Sequence, residues 1–205
     1  MFRSTVRAAL ATAMALPMLA QQPNQTVVVA GGCFWGIQNV FEHVKGVVNA
    51  TSGYAGGNAK TANYETVSDG NSGHAESVKI VFNPSVVSLE TLLKVFFSVA
   101  HDPAQLNRQG PDVGTQYRSV IFYANAEQQR VAEAAIAQIT QSKVSSRPIV
   151  TQVVPLEAFY PAEAYHQDYA IVHPTEPYIV SNDLPKVDHL RAKFPELYRE
   201  YPAEK

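Results

Sequence analysis

A short apolar strand that passes through two glycines into a helix constrains this chain more than any other feature. Residues 27–36 read Val-Val-Val-Ala-Gly-Gly-Cys-Phe-Trp-Gly. The β-branched run predicts a buried strand, the glycine pair ends it, and apolar residues recur at helical spacing over residues 37–44. The sequence therefore places Cys33, the one cysteine among 205 residues, at or beside the first turn of a helix.

The predicted position of Cys33 suggests a reactive sulfur. Unpaired N–H groups and the positive end of the helix dipole favour a thiolate there, so we predict that the pKa of Cys33 is lowered. The glycines leave room for a ligand to approach the backbone, and Phe34 and Trp35 place apolar surface beside the sulfur. A lone cysteine can also be a small buried side chain without reactivity, and that interpretation stays open at this point.

The remaining chain alternates strands and helices around one long polar loop. From residue 27 the order is β-α-β-β-α-β-α-β, which contains the split βαβ succession of ferredoxin-like folds. We therefore predict an α+β fold, a two-layer sandwich in which helices pack on a mixed or antiparallel sheet. The predicted strands after the first are residues 46–52, 76–82, 117–123 and 149–154; the later helices are 89–100, 125–143, 161–170 and 183–193; the loop is 53–73.

The first twenty residues differ in kind from the rest. Arg3 and Arg7 precede an apolar run without acidic residues, which is typical of a secretory signal peptide that ends near Ala20. We expect export, into the periplasm of a bacterium; a mitochondrial leader or a cytoplasmic protein is the alternative. Residues 21–205 are then one catalytic domain with an extended C-terminal segment.

Charge and cysteine content exclude several classes of function. A net charge of −2 gives no basic footprint for nucleic acid or for an anionic membrane surface. One cysteine excludes an internal disulfide and a multi-thiolate metal site, and the six histidines show no metal-ligand spacing. We therefore predict neither a metal site nor a bound cofactor.

Four further residues could act together with Cys33. Glu76 has the strand parity of the apolar residues that follow it, so its carboxyl should face the apolar layer and have a raised pKa. A carboxylate exposed at the start of a strand is the alternative. Tyr64 and Tyr117, the latter at the start of a predicted strand, could donate hydrogen bonds to a polar oxygen. Asp112 lies in a polar connection, where it could simply form a turn.

Two other functions remain open on these residues. Cys33 with His74 or His101 would make a cysteine hydrolase or acyl transferase, provided that a histidine lies within hydrogen-bond reach of the sulfur. A peptide-binding module without catalysis is the third possibility.

Seven short motifs resemble those of the A-type peptide methionine sulfoxide reductases. They follow one another in the order of that family and span about residues 27–197. The motifs are Gly-Cys-Phe-Trp-Gly (32–36), Gly-Tyr-Ala-Gly-Gly (53–57), Asn-Tyr-Glu-Thr-Val (63–67), Gly-His-Ala-Glu (73–76), His-Asp-Pro (101–103), Gly-Thr-Gln-Tyr-Arg (114–118) and Tyr-His-Gln-Asp-Tyr (165–169).

The resemblance implies a role for each candidate residue. Cys33 would attack the sulfur of a methionine S-sulfoxide, free or in a protein, and become a sulfenic acid. Glu76 would protonate the departing oxygen, which Tyr64 and Tyr117 would hydrogen-bond. The resemblance also implies that Asp112 organises the site and its water, and that the aromatic pocket for the substrate methyl group is formed by Phe34 and Trp35.

The chain departs from the resemblance in one respect. Many members of that family carry further C-terminal cysteines that resolve the sulfenic acid, and this chain has none. An outside thiol must then reduce Cys33: a thioredoxin-like protein, or glutathione with a glutaredoxin. We expect a monomeric enzyme that repairs oxidised proteins.

Overall fold

The computed structural model describes residues 22–142 and 145–200, so the predicted leader lies outside the described residues. A six-stranded sheet in the order β7-β6-β1-β3-β2-β8 forms its centre, beside a two-stranded ribbon of β4 and β5. The strands are β1 Gln25–Ala30, β2 Val47–Ala55, β3 Ala75–Phe82, β4 Arg108–Gln109, β5 Asp112–Val113, β6 Val120–Tyr123, β7 Gln152–Pro155 and β8 Phe159–Pro161.

The four central strands have the predicted split βαβ topology. Strand β3 lies between β1 and β2 and runs antiparallel to both, and β6 pairs antiparallel with β1. Strand β7 adds parallel to β6 at one edge, and β8 adds antiparallel to β2 at the other. The α+β fold with a mixed sheet is therefore confirmed.

Helices cover the apolar face of the sheet. The main core cluster joins that face to helices α1, α3, α4 and α7, while a smaller cluster around Val28 and Phe122 covers the opposite face. Within the described part of the chain, no helix is both long and apolar enough to cross a bilayer. The helices are α1 Phe34–Glu42, α2 Tyr64–Ser68, α3 Leu89–Val95, α4 Ala126–Ser142, α5 Tyr169–Val172, α6 Pro177–Asn182 and α7 Leu184–Lys193.

The predicted long loop is more ordered than its composition indicates. Its first residues extend β2 to Ala55, and a 3₁₀ turn at Ala59–Thr61 and helix α2 follow. Asn63 caps α2, because its side chain accepts a hydrogen bond from the Thr66 N–H at 3.0 Å. This cap fixes where Tyr64 begins its helix.

Two predicted elements were wrong in part. Tyr117 does not begin a strand; it ends the 3₁₀ turn Thr115–Tyr117, after Gly114 with φ +148°, and β6 starts three residues later. Residues 161–170 are not one helix either. Strand β8, the 3₁₀ turn Ala164–His166 and the start of α5 share that stretch, with Asp168 left-handed at φ 56° before α5.

Candidate active site

The strand-to-helix turn after β1 places Cys33 at the N-cap of α1. The two preceding glycines are required by space and by backbone geometry. A Cβ at Gly31 would lie 2.7 Å from His101, and Gly32 has φ +107°, a conformation that other residues rarely adopt. Cys33 is buried, with 8% of the residue exposed, and it lines the pocket described below.

Glu76 approaches the same helix end from the neighbouring strand. The carboxyl is 2% exposed and lies on the apolar side, as the strand parity predicts, and Oε2 accepts a hydrogen bond from the Phe34 N–H at 3.1 Å. Burial raises the pKa of Glu76 to about 8, with smaller contributions from the charges of Asp112 and Asp183, although the Phe34 N–H opposes the shift. The carboxyl is therefore mostly protonated at neutral pH.

The prediction of a lowered pKa for Cys33 was wrong. Burial raises the pKa of the thiol well above its usual value, and the charges of Glu76 and Asp183 raise it further. The Trp35 N–H and the Lys186 ammonium oppose these effects without outweighing them. The helix N-terminus is present, but desolvation of the sulfur has the larger effect on the pKa of Cys33.

Cys33 and Glu76 face a pocket of about 180 Å³. Tyr64 comes from the start of α2 and Tyr117 from the 3₁₀ turn before β6, and neither hydroxyl has a hydrogen-bond partner within the described ranges. Burial and the Glu76 charge raise the pKa of both phenols, so both keep their protons and can donate to a ligand. The residues that line the pocket are Cys33, Phe34, Trp35, Tyr64, Glu76, Asp112, Tyr117 and Tyr178. The structure thus brings together all seven predicted site residues.

Tyr178, in α6, completes the pocket and was missed in the sequence. Its hydroxyl donates a hydrogen bond to Asp112 Oδ2 at 2.5 Å, and burial raises the pKa of that carboxyl while the hydrogen bond lowers it. Asp112 lies in the β4–β5 ribbon, so the bond ties the ribbon to the C-terminal helices. The only signal was an aromatic residue beside Pro177 at the start of a short helix.

A buried histidine and a tyrosine fix the orientation of Trp35. The indole N–H donates to His166 Nδ1 at 3.1 Å, so the neutral ring carries its proton on Nε2. The indole also stacks on Tyr169, with 3.9 Å between ring centroids and an interplanar angle of 11°. Burial lowers the pKa of His166, which keeps the ring neutral and able to accept this bond. The motif at residues 165–169 contains both partners.

The two histidines of the hydrolase alternative are engaged elsewhere. His101 Nδ1 donates to the Phe96 carbonyl at 3.0 Å and Nε2 contacts Ser119 Oγ at 2.7 Å. His74 Nε2 donates to the Asn58 carbonyl at 3.0 Å, and neither ring lines the pocket. The geometry therefore does not supply the base that a Cys–His hydrolase needs.

A second groove and possible metal-ligand clusters are the other candidate sites. A groove of about 670 Å³ lies at the opposite end of β1, between Gln25, Ser88 and Gln128, and neither a cysteine nor a histidine is among its lining residues. Gln128 is already bonded to the Ala124 N–H and the Thr26 carbonyl. Across residues 22–142 and 145–200, no group of three or more His, Cys, Asp or Glu residues is arranged to hold a metal ion.

The fold and the pocket define a thiol-dependent oxidoreductase class: an α+β domain with one cysteine at a helix N-terminus, facing a protonated carboxyl. Comparison with known proteins gives the family. The family model described as peptide methionine sulfoxide reductase matches residues 25–198. The chain belongs to this family.

Individual relatives and solved structures agree with the family assignment. Peptide methionine sulfoxide reductase MsrA 2 of Mesorhizobium japonicum is 56% identical over 179 residues, 87% of this chain and 92% of that protein. Mxr1 from Saccharomyces cerevisiae in reduced form has a TM-score of 0.68 at 29% identity, over 77% of this chain and 92% of the other. Methionine sulfoxide reductase A of Corynebacterium diphtheriae has a TM-score of 0.67 at 31% identity, over 77% and 78% of the two chains.

Proposed function

We propose that this chain reduces methionine S-sulfoxide, free or in proteins, to methionine, with Cys33 as the nucleophile and Glu76 as the acid. The observation that carries the proposal is the meeting of Cys33 and the protonated Glu76 at one end of α1, in a pocket of about 180 Å³. Such a volume suits a side-chain tip of a few heavy atoms, not a folded surface. Family membership supports the same chemistry.

The pocket walls suit the two ends of a methyl sulfoxide. Phe34 and Trp35 offer apolar surface to the methyl group, and His166 holds the indole in place. On the polar side, Glu76 donates a proton to the sulfoxide oxygen, and Tyr64 and Tyr117 donate hydrogen bonds to it. Asp112, held by the hydrogen bond from Tyr178, contributes a second carboxyl to the pocket lining.

The order of proton movements follows from the two raised pKa values. Before substrate binds, Cys33 is a thiol and Glu76 is a neutral acid. As Glu76 protonates the sulfoxide oxygen, positive charge grows on the substrate sulfur. A nearby positive charge lowers the pKa of the thiol, so Cys33 ionises when the substrate is in place to receive its electron pair.

The reductase step conserves atoms and electrons. The S–O bond of the sulfoxide breaks, oxygen passes to the Cys33 sulfur, and methionine leaves reduced by two electrons while Cys33 becomes a sulfenic acid. A first outside thiol then forms a mixed disulfide with Cys33 and releases water. A second thiol reduces that disulfide and restores the Cys33 thiol.

The outside thiol is required because the chain has no second cysteine. We propose a thioredoxin-like protein, or glutathione with a glutaredoxin, as the reductant. In the exported, monomeric enzyme that we propose, the partners are this reductant and oxidised proteins. Neither a nucleic acid nor a membrane surface is among them.

Incubation of the purified protein with each sulfoxide epimer of methionine and with dithiothreitol tests the proposal. We expect methionine from the S epimer and no product above background from the R epimer. Cys33→Ser should abolish the activity, because no other thiol is present to attack. Unchanged turnover in Cys33→Ser, or ester hydrolysis by the parent in place of reduction, would contradict the assignment.

Export has its own test. The full chain is expressed in a bacterium, and the periplasmic fraction is measured by mass spectrometry. We expect an N-terminus that follows Ala20. A periplasmic protein that still begins at Met1, or a protein retained in the cytoplasm, would contradict the leader assignment.

A further inference from the structure

The third residue of helix α1 has no side chain, and another part of the chain fills its place. In a capping box, the N-cap side chain and the N3 side chain lie together at the start of a helix. Here the N-cap is Cys33 and the N3 residue is Gly36. A Cβ at Gly36 would lie 2.1 Å from Asp183 Oδ1 and 2.6 Å from Lys186 Nζ. The two side chains therefore occupy the position from which an N3 side chain would face Cys33.

Asp183 and Lys186 form a tightly held ion pair at the start of α7. Lys186 Nζ donates to Asp183 Oδ1 at 3.0 Å; the Lys186 side chain is 19% exposed and that of Asp183 is fully buried. Asp183 is the N-cap of α7, and the Lys186 N–H donates to its carbonyl at 3.1 Å. Among the described residues, Asp183 Oδ2 is buried without a hydrogen-bond partner. A carboxylate this poorly solvated needs the adjacent ammonium.

The charges that face Cys33 come from two elements of the fold. Glu76 reaches it from β3, and Asp183 and Lys186 reach it from the start of α7. Asp183 raises the pKa of Cys33 and Lys186 lowers it, so the two members of the pair act on the sulfur with opposite sign. The other titratable side chains of the pocket are Tyr64, Asp112, Tyr117 and Tyr178.

We propose that Asp183 and Lys186 are a charge pair that acts on the chemistry of Cys33: both side chains lie against the first turn of α1, where the Lys186 ammonium stabilises a negatively charged sulfur and the Asp183 carboxylate opposes it. The Lys186 ammonium would favour two charged states of the sulfur, the thiolate that attacks and the sulfenate that awaits the outside thiol, and the Asp183 carboxylate would limit both. This role rests on the proposed function of Cys33 as the nucleophile.

The rate of alkylation of Cys33 by iodoacetamide, measured from pH 6 to 10 without sulfoxide, tests the pair. Only a thiolate reacts, and the chain has no other cysteine, so the rate below the pKa reports the ionised fraction of this one sulfur. Asp183→Asn should raise the rate at pH 7.5 by about three- to tenfold, because a negative charge is lost. Adding Lys186→Met should lower the rate of Asp183→Asn by a similar factor, since the positive charge is then lost too.

Matched variants separate charge from packing. In the Asp183→Asn background, Lys186→Arg should keep the raised rate, and Lys193→Met, an exposed lysine of the same helix, should leave it unchanged. Asp188→Asn, at an exposed position of the same helix, is the control for Asp183→Asn. The fluorescence of Trp35, the one tryptophan, reports whether each variant keeps the fold of the site. Asp183→Ser replaces Asp183→Asn if asparagine does not fit beside Gly36.

The directions in which Asp183→Asn and the added Lys186→Met change the alkylation rate decide whether the pair acts through its charges. Alkylation rates that rise with the loss of Asp183 and fall with the further loss of Lys186, with unchanged Trp35 fluorescence, support the proposal. Changes in the same direction, or no change, would show a structural role alone and overturn the proposal. Because no sulfoxide is used, the result holds whether or not the protein reduces methionine sulfoxide, so failure of the two proposals can be told apart.

Discussion

At the scale of single residues, the site holds two acids in the neutral form side by side. Burial favours the neutral form of the Glu76 carboxyl and of the Cys33 thiol, and each charge would disfavour the other. Cys33 and Glu76 therefore do not both carry a negative charge at neutral pH. A substrate that accepts the proton of Glu76 also brings the positive charge that the thiolate needs.

Glu76→Gln should slow the reductase step by about 10²- to 10⁴-fold, because a positioned acid contributes rate enhancements of this order. For the parent, the rate should fall as pH rises through about 8, where Glu76 loses its proton. The measurement is single-turnover formation of methionine without recycling thiol, at a series of pH values from 6 to 9.

The return of the free thiol from oxidised Glu76→Gln, timed with dithiothreitol, is the control for this variant and should be close to that of the parent. Equal single-turnover rates for the two proteins from pH 6 to 8 would exclude Glu76 as the acid.

At the scale of elements, the start of α1 is an assembly point for β1, β3 and α7. Gly36 permits this assembly, because the Asp183–Lys186 pair lies where its Cβ would be. Alanine normally stabilises a helix interior relative to glycine by about 1 kcal/mol. At this position the overlap with the buried carboxyl should outweigh that gain.

Gly36→Ala should therefore reduce the free energy of unfolding by about 1–3 kcal/mol, the usual cost of overfilling a packed interior. Urea unfolding followed by circular dichroism measures this change. Gln141→Ala, on an exposed position of α4, is the matched control and should change stability by no more than about 0.5 kcal/mol. A Gly36→Ala protein as stable as the parent would show that α7 moves aside at little cost.

Elements with a regular period could be predicted from the sequence, and contacts between distant segments could not. Strand parity placed Glu76 on the apolar face correctly, helical spacing found α1, and Pro185 shortly after Asp183 indicated the start of α7. The stretch from Tyr117 to Tyr123 resembled one strand, but its first residue, Tyr117, ends the 3₁₀ turn that follows Gly114. Short elements such as β8 and α6 have too few residues to show a period.

In the site, too, the effect of neighbours in the sequence could be predicted, and the effect of distant residues could not. The local setting of Cys33, a helix N-terminus, indicated a lowered pKa. The opposing effects come from burial by the whole domain and from Asp183, which lies 150 positions further along the chain. Tyr178 and Lys186 were missed for the same reason, because only the folded chain brings the C-terminal helices to the pocket.

At the scale of the whole molecule, the buried acid and the buried base set the pH at which the fold is most stable. The pKa of Glu76 is raised to about 8, so the folded state binds its proton more tightly than the unfolded state, and stability is lost as pH rises from about 4.5 to 8. Burial lowers the pKa of His101 to about 4, so its contribution is lost as pH falls from about 6.5 to 4. These opposing slopes leave a maximum at mildly acidic pH.

Between about pH 6.5 and 8.5, the free energy of unfolding should fall by about 1–3 kcal/mol, because Glu76 alone of the two groups titrates there. Urea unfolding at three pH values across this window measures the slope. Glu76→Gln should flatten it, since a neutral amide has no proton to lose. A parent protein whose stability is constant or rises over this window would contradict the raised pKa.

Because Cys33 is the one cysteine of the chain and lines a small pocket, its oxidation also determines how long the protein stays active. After each turnover the oxidised Cys33 has no neighbouring thiol to shield it, and a peroxide molecule is small enough to enter where the substrate tip does. A second oxidation would give a sulfinic acid that ordinary thiols do not reverse. The number of turnovers before inactivation should thus follow the ratio of thiol to peroxide in the compartment, and a shortage of reducing power would consume the catalyst itself.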